Sequence, residues 1–371
     1  AEVLLRAQNP VVICGDGVYR SGAQAELVAL AELLGTPVWN TLLTAAVNFP
    51  TSHPQLRGEL PDNQAQMREL LHEPDAVLLV GGHFFREVFF AGESPWPEEA
   101  AVIQIDQAAG AVARNYPVTV GLVADPKATL RDLYELIAPQ VTGALRGASE
   151  VRRGEQARLQ EQAWAQQKDR VRASWDELPM TSARFMVELK SALPKDVVVV
   201  GEVNTCRDDL LRTLSFEKAG DYYGSRGGGI GQGLPGALGY RLAHPDRPLL
   251  AISGDGSALY SIQALWTAAH YGMKLVFVIL NNRAYRIVKH NMDRHREFFG
   301  VRGKAGYPFL DLTQPDINFV DLAEGFGVPA RRVMEPGQLA PAVQEAFDRS
   351  GPVLLDVPIE SDCGVLADER E

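Results

Sequence analysis

Gly254-Asp255-Gly256-Ser257 closes one apolar run, Leu249–Ile252, and Asn281-Asn282 closes the next, Leu275–Leu280. Asp255 offers a hard anionic oxygen and the Asn282 side chain a neutral one. A bend after Asn282 lets the Ala284 carbonyl supply a third. Mg²⁺ takes six oxygens in near-octahedral geometry and usually draws some of them from phosphates and water. Three protein oxygens therefore leave places for two diphosphate oxygens and one water. Gly254 and Gly256 let the backbone come close to phosphate. Ser257 suits the cap of a following helix, whose amino end favours negative charge. These residue types point to a site for Mg²⁺ and a diphosphate.

For the two clusters to meet, they must lie at the carboxyl ends of parallel strands. Leu249–Ile252 reads as one strand, Ser257 to about Tyr271 as a helix, and Leu275–Leu280 as a strand buried on both faces. A strand–helix–strand unit crosses over right-handedly, and open α/β sheets hold ligands at their carboxyl ends. Upstream, a helix at Ala183–Leu193 precedes the strand Val197–Val200, which ends in Glu202-Val203-Asn204-Thr205. Tyr222-Tyr223 leads into the glycine-rich Gly224–Gly231, and a helix follows to about Leu242. Downstream come a loop, a helix near Phe319–Phe326, a strand at Arg331–Val333, a helix at Gln338–Phe347 and a last strand, Val353–Val357.

The first 140 residues show the same alternation. Strands are expected at Val11–Cys14, Pro37–Asn40, Ala76–Gly81, Ala101–Asp106 and Val118–Val123, with helices at Ala23–Leu34, Asn63–Leu71 and Pro126–Ile137. Strands alternating with helices imply parallel sheets. The expected fold is α/β, with two doubly wound parallel-sheet domains: a Rossmann-like one over 1–140 and a diphosphate-binding one over 181–371. Residues 141–180 form a helical linker, because Glu150–Ser174 is rich in Arg, Gln and Glu with few large apolar residues. Gly15-Asp16-Gly17 repeats the triplet without an Asn-Asn partner and lacks the GxGxxG spacing of a dinucleotide site, so it reads as a strand-to-helix turn.

Composition narrows the class. In 371 residues, 46% hydrophobic and 22% charged side chains suit a soluble globular protein. A net charge of −11 with no basic stripe argues against nucleic acid. No apolar run is long enough to span a membrane. Cys14, Cys206 and Cys363 lack metal-ligand spacing and read as reduced thiols, which places the protein in the cytoplasm. No signal peptide is visible, and a chain starting at Ala1 almost inside a domain suggests a fragment or a processed product.

GDGS and NN at two strand ends resemble the thiamine diphosphate (ThDP) motif of the 2-oxo acid decarboxylase and acetolactate synthase superfamily. RGGGIGQGLPGALGYRLAHPDRPLLAISGDGS and YSIQALWTAA extend the likeness, as do His53-Pro54, Arg57-Gly58 and the segment GGHFFR, which resemble benzoylformate decarboxylase. The resemblance implies ThDP and Mg²⁺ as cofactors, with the metal held by Asp255, Asn282 and the Ala284 carbonyl. It places Asn204, Thr205, Gly254, Asp255, Gly256, Ser257, Asn282 and Tyr285 around the diphosphate. Gly228 matches the residue whose carbonyl accepts a hydrogen bond from the 4′-amino group. Ile230 matches the aliphatic side chain that wedges the cofactor into a V and brings that amino group to the thiazolium C2. Gly228 and Ile230 are thus the catalytic candidates, and Ile287, Val288 and Asn291 match positions lining the substrate pocket.

The departures bear on the substrate. Val88 stands where benzoylformate decarboxylase has a histidine beside its substrate; His83 and His290 are nearby candidates to replace it. Asn291 and Gly224 stand where the aryl pocket has phenylalanines. The family's first, pyrimidine-binding domain, which supplies the glutamate that protonates the aminopyrimidine, has no match here. Glu202 is a carboxylate near enough in the chain to consider in its place. The resemblance implies a portion of a decarboxylase that releases CO₂ and an aldehyde from a 2-oxo acid, inactive alone, and a homodimer or homotetramer when intact. An acetolactate-synthase-like carboligase and a non-catalytic diphosphate-binding module remain alternatives.

Overall fold

The computed structural model describes residues 1–82, 93–301 and 306–361. The chain divides into two compact units, one of residues 1–168 with 215–220 and one of 169–214 with 221–371. In chain order the first contains α1 (Glu2–Arg6), β1 (Pro10–Cys14), α2 (Gly17–Ser21), α3 (Gln24–Leu34), β2 (Val38–Asn40), β3 (Leu56–Glu59), α4 (Gln64–Leu70), β4 (Ala76–Val80), β5 (Ala101–Asp106), β6 (Val120–Val123) and α5 (Pro126–Ile137). The division between the units falls inside α6 (Gly143–Ala173), after Lys168. The second holds α7 (Ser182–Ala192), β7 (Val198–Glu202), α8 (Arg207–Thr213), β8 (Tyr222–Gly224), α9 (Gly233–Ala243), β9 (Leu249–Gly254), α10 (Asp255–Ala258), α11 (Ala264–His270) and β10 (Val276–Asn281). It ends with α12 (Arg286–Phe298), α13 (Phe319–Gly325), β11 (Ala330–Arg332), α14 (Leu339–Asp348) and β12 (Val353–Pro358).

Each unit is built on one six-stranded sheet, ordered β3-β2-β1-β4-β5-β6 in the first and β11-β12-β10-β9-β7-β8 in the second. All ladder pairings are parallel. Runs such as Ala76-Val-Leu-Leu-Val80 and Val276-Phe-Val-Ile-Leu-Asn281 are buried at every position, as strands covered on both faces require. Alternate residues serve the two faces of the first sheet. Val12, Leu78 and Ile105 pack with Leu27, Leu30, Leu130 and Ile137, while Val11, Ile13, Val77 and Leu79 pack with Met67, Leu71 and Trp96. In the second unit Val200, Ala251, Phe277 and Ile279 meet Leu234, Ala237, Leu265 and Phe319. Each fully buried side chain of this size contributes about 1.5–3 kcal/mol.

The expected α/β class with two doubly wound parallel sheets is what the chain forms. Some element boundaries differ from the sequence expectation. The helix expected from Ser257 to Tyr271 is two short ones, α10 and α11. Between them Tyr260 bonds to Ser257, Ser261 to Ala258 and Ala264 to Ser261, all three-residue steps that tighten the chain and break the four-residue ladder. Gly254, not Ser257, holds the cap position, and Ser257 is buried within α10. The loop expected after Asn282 contains the helix α12. Its only buried residue is Arg286, and its few apolar residues, Ile287, Val288, Met292 and Phe298, are outnumbered by charged and polar ones, which makes the segment read as a loop. The helix expected from Glu150 begins earlier, at Gly143.

Gly15-Asp16-Gly17 is the expected turn from β1 into α2. Asp16 accepts hydrogen bonds from the Ala45 amide at 3.0 and 3.1 Å and from the Asn48 side chain at 3.3 Å. Segment 215–220 belongs with the first unit through bonds such as Phe216 N–H to Thr51 Oγ1 (2.7 Å) and Ser52 Oγ to Glu217 Oε2 (2.8 Å). Among the described residues, no helix is long and apolar enough to cross a membrane.

Candidate diphosphate and metal site

The strand order of the second sheet reverses between β7 and β9: β8 lies on one side of β7, while β9 and β10 lie on the other. In doubly wound sheets such a reversal opens a crevice at the strands' carboxyl ends. Register brings the candidate residues there. Glu202 pairs with Ser253 and Leu280 with Gly254, so Asn204, Asp255 and Asn282 leave three adjacent strands at the same end of the sheet.

Asp255 is 2% exposed. Its Oδ1 accepts the Gly256 amide at 2.8 Å, while its Oδ2 is buried without a hydrogen-bond partner. Burial pushes its carboxyl up to about 6, against the opposing pull of backbone N–H groups from Gly256, Arg283 and Ala284. Those last two contacts show that the Asn282 turn closes onto Asp255. Asn282 is buried, and its Oδ1 accepts the Ala284 amide at 3.1 Å. Arg283 between them has φ +60°, a left-handed conformation that costs a non-glycine residue about 1–2 kcal/mol. The turn is braced from outside: the Leu312 amide donates to the Arg283 carbonyl and the Tyr285 amide to that of Leu310, both at 2.8 Å. A buried, half-satisfied carboxylate beside a buried amide oxygen fits a hard cation. Among the described residues no group of three or more His, Cys, Asp or Glu side chains could hold a metal, so such a cation would rely on neutral oxygens besides Asp255.

Of the two glycines of the triplet, only Gly256 is sterically required. A Cβ there would lie 2.7 Å from the Tyr285 ring, whereas a Cβ on Gly254 would meet nothing. Tyr285, expected near the diphosphate, thus packs on Gly256 and leads into α12. Asn204 and Thr205 form a 3-10 turn directly after β7 and are half-buried. Ile287, Val288 and Asn291 lie on α12; Ile287 is half-buried and the other two are exposed. His290 shares that helix, while His83 and Val88 lie outside the described residues. The first turn of α12 is fixed by Arg286, whose Nη1 donates to the Glu360 carbonyl at 2.9 Å and whose Nη2 reaches Glu360 Oε1 at 3.4 Å.

Gly228 is exposed at φ +77°, and Ile230 is half-buried. Gly231 joins this loop to α10's end, since a Cβ there would lie 2.8 Å from Tyr260 Cβ. The space beside Gly224 is occupied: a Cβ there would lie 2.8 Å from both Arg207 Nη1 and Tyr222 Oη, which are bonded to each other at 2.8 Å. Both oxygens of Glu202 are engaged, and burial raises its carboxyl against the pull of the Gly233, Gln232 and Gly231 amides. Its Oε1 accepts the Gln232 amide at 3.2 Å and its Oε2 the Gly233 amide at 2.8 Å, so both oxygens hold the start of α9. Sequence reasoning missed this use of Glu202, the strained turn at Arg283, and Gln232. Only the placement of Gln232 directly after Gly231 hinted at the last.

Residues 1–133 match the family described as thiamine pyrophosphate enzyme, central domain, and residues 205–357 match thiamine pyrophosphate enzyme, C-terminal TPP binding domain. This chain belongs to the thiamine pyrophosphate enzyme family. Thiamine pyrophosphate is ThDP under its other name. Benzoylformate decarboxylase of Pseudomonas aeruginosa is 32% identical over 360 residues, covering 97% of this chain and 63% of that protein. A putative acetolactate synthase large subunit of Mycobacterium tuberculosis is 39% identical over 192 residues, 51% of this chain and 37% of that protein. The structure of the Rhodococcus jostii thiamine diphosphate-dependent 4-hydroxybenzoylformate decarboxylase superposes with a TM-score of 0.79 at 29% identity, covering 97% of this chain and 63% of that one. The chain therefore spans under two thirds of the length of these relatives.

Proposed function

We propose that this chain is the diphosphate- and Mg²⁺-holding portion of a 2-oxo acid decarboxylase of the benzoylformate decarboxylase type. The observation that carries the proposal is the buried, unpartnered Oδ2 of Asp255 beside the Asn282 turn, at the sheet's point of reversal. Asp255, the Asn282 side chain and the Ala284 carbonyl would hold the metal, and Asn204, Thr205, Gly254, Gly256, Ser257 and Tyr285 would surround the diphosphate. Bound ThDP supplies an electron sink for the loss of CO₂ from a 2-oxo acid. The Gly228 carbonyl would orient the aminopyrimidine, and Ile230 would prop the two rings apart. Ile287, Val288 and Asn291 on α12 would line the substrate side. With Gly224 backed by the Arg207–Tyr222 pair and Asn291 polar, that pocket lacks two aromatic walls, so the arylglyoxylate itself is not assigned.

The test is calorimetric titration of ThDP in Mg²⁺. Wild-type chain should bind only with the metal present, and Asp255→Ala should abolish binding. Unchanged affinity in that variant would overturn the proposal. A second reading, an acetolactate-synthase-like carboligase joining two carbonyl compounds, is favoured by the 39% identity to the putative acetolactate synthase subunit. Product identification from pyruvate and from benzoylformate with the full-length protein separates the two: an aldehyde supports decarboxylation, a ketol supports ligation.

A further inference from the structure

Gln232 occupies the cap position of α9, yet its side chain makes no bond to that helix. The capping is done by Glu202, whose two oxygens take the Gln232 and Gly233 amides. The Gln232 amide group turns back instead onto the glycine-rich loop. Its Oε1 accepts the Arg226 amide at 3.2 Å, and its Nε2 donates to the Arg226 carbonyl at 2.9 Å and to the Gly229 carbonyl at 2.8 Å. Gly227, Gly228 and Gly231 all have left-handed φ, +73°, +77° and +95°. Glycine loses more conformational freedom on ordering than any other residue, so a loop with this many needs contacts to hold it. Around Gly228 a Cβ would meet nothing within 4 Å, so packing does not supply them there.

We infer that Gln232 is a positioning residue: its side chain clamps residues 226–229 so that the Gly228 carbonyl is held at a fixed place above α9. The inference rests on the proposed ThDP reading, because that reading gives the Gly228 carbonyl its role toward the aminopyrimidine. Glu202 anchors the clamp from β7, and Gln232 transmits that anchor to the loop. Gly233 is needed for the anchor, since a Cβ there would lie 2.8 Å from Glu202 Cβ. The clamp acts on the ring end of the ligand, while Asp255 and the Asn282 turn act on the diphosphate end. The two ends can therefore be separated by ligand choice.

The experiment compares ThDP with inorganic pyrophosphate, each in Mg²⁺, on the wild-type chain, Gln232→Ala, Gln232→Glu and Asp255→Ala. Amide hydrogen exchange of residues 226–231 is measured on the unliganded proteins. Gln232→Ala should exchange faster in this loop and bind ThDP about tenfold more weakly, the scale of one hydrogen bond, with pyrophosphate affinity unchanged. Gln232→Glu keeps an acceptor for the Arg226 amide but sets a carboxylate oxygen against the Arg226 and Gly229 carbonyls, so it should bind ThDP at least as weakly as Gln232→Ala, again with pyrophosphate affinity unchanged. Asp255→Ala should lose both ligands. An equal fall for both ligands in Gln232→Ala would show a merely structural role, and unchanged exchange or ThDP affinity would show an idle clamp; either overturns the inference. If wild type binds neither ligand, the ThDP reading fails and takes this inference with it.

Discussion

Asp255 carries opposite demands at the scale of a single residue. Its carboxyl is raised from its ordinary 3.8 to about 6 by burial. A raised value in the fold means that the neutral form is favoured there. The stability linked to Asp255 is therefore fully present below 3.8 and is lost as the pH rises through 6. At 1.36 kcal/mol per unit, the ionised form costs the unliganded fold roughly 3 kcal/mol above that pH. Asp255→Asn should consequently be more stable than wild type at pH 8, by up to that amount, and indistinguishable near pH 4. Thermal unfolding at the two pH values checks this, and equal differences at both would refute it. The same substitution should remove the stabilisation that ThDP and Mg²⁺ give the wild type. A cation site on this carboxylate must also weaken as the pH falls below about 6, because the proton competes for the buried oxygen.

At the scale of elements, the site depends on how α12 is attached. Arg286 and Glu360 tie its first turn to the end of β12, and the Ser182 amide at the start of α7 donates to Glu360 Oε1 at 3.1 Å. Burial pushes the Glu360 carboxyl up to about 7, and Arg286 opposes the shift. Stability linked to Glu360 is thus lost as the pH rises through 7, and removing Arg286 should enlarge that loss. Arg286→Met should destabilise the second unit by about 1–3 kcal/mol at pH 8, where it leaves a buried carboxylate poorly compensated. At pH 5 the loss should be smaller, because Glu360 can be protonated. Urea unfolding at both pH values measures it; equal losses would place the cause in packing. The neighbouring pair Asn281–Asp356 (3.1 Å) and Arg332–Asp356 (2.8 Å) braces the strand end that carries the Asn282 turn.

At the scale of the molecule, residues 1–133 and 205–357 match the central and C-terminal TPP binding domains, and the chain spans 63% of the benzoylformate decarboxylase it is similar to. Glu202 gives both oxygens to the start of α9, so it is not expected to act as the acid of the proposed decarboxylation. Purified alone with saturating ThDP and Mg²⁺, this chain should produce no useful amount of aldehyde from benzoylformate or pyruvate, since a positioned acid–base group is typically worth about 10²–10⁴-fold. A pyrimidine-binding domain added in trans should restore some turnover. A coupled aldehyde assay decides, and robust turnover by the chain alone would contradict this account. Large apolar side chains of the second unit are exposed: Tyr260, against Gly231, is 62%, Trp266 53% and Leu242 73% exposed.

What the sequence determined was local. Apolar runs such as Ala76–Val80 and Leu249–Ile252 announced buried strands, and the polar triplet and Asn pair announced where those strands ended, because burial on both faces and turn chemistry are written in consecutive residues. The identity of Asp255 and Asn282 as candidates followed from that. α12 escaped because charged and polar residues outnumber its apolar ones and Arg286 rather than an apolar side chain is what it buries, and the break after Ser257 escaped because it depends on a tight run of three-residue bonds. Only the tertiary structure decided that β7 and β9 are neighbours, that the Asn282 turn closes over Asp255, that one Asp255 oxygen is left without a partner, and that Glu202 holds a helix while Gln232 holds a loop. Each of these joins residues far apart in the chain, or turns a side chain in a direction that spacing does not encode, so their cause lies in strand order and register.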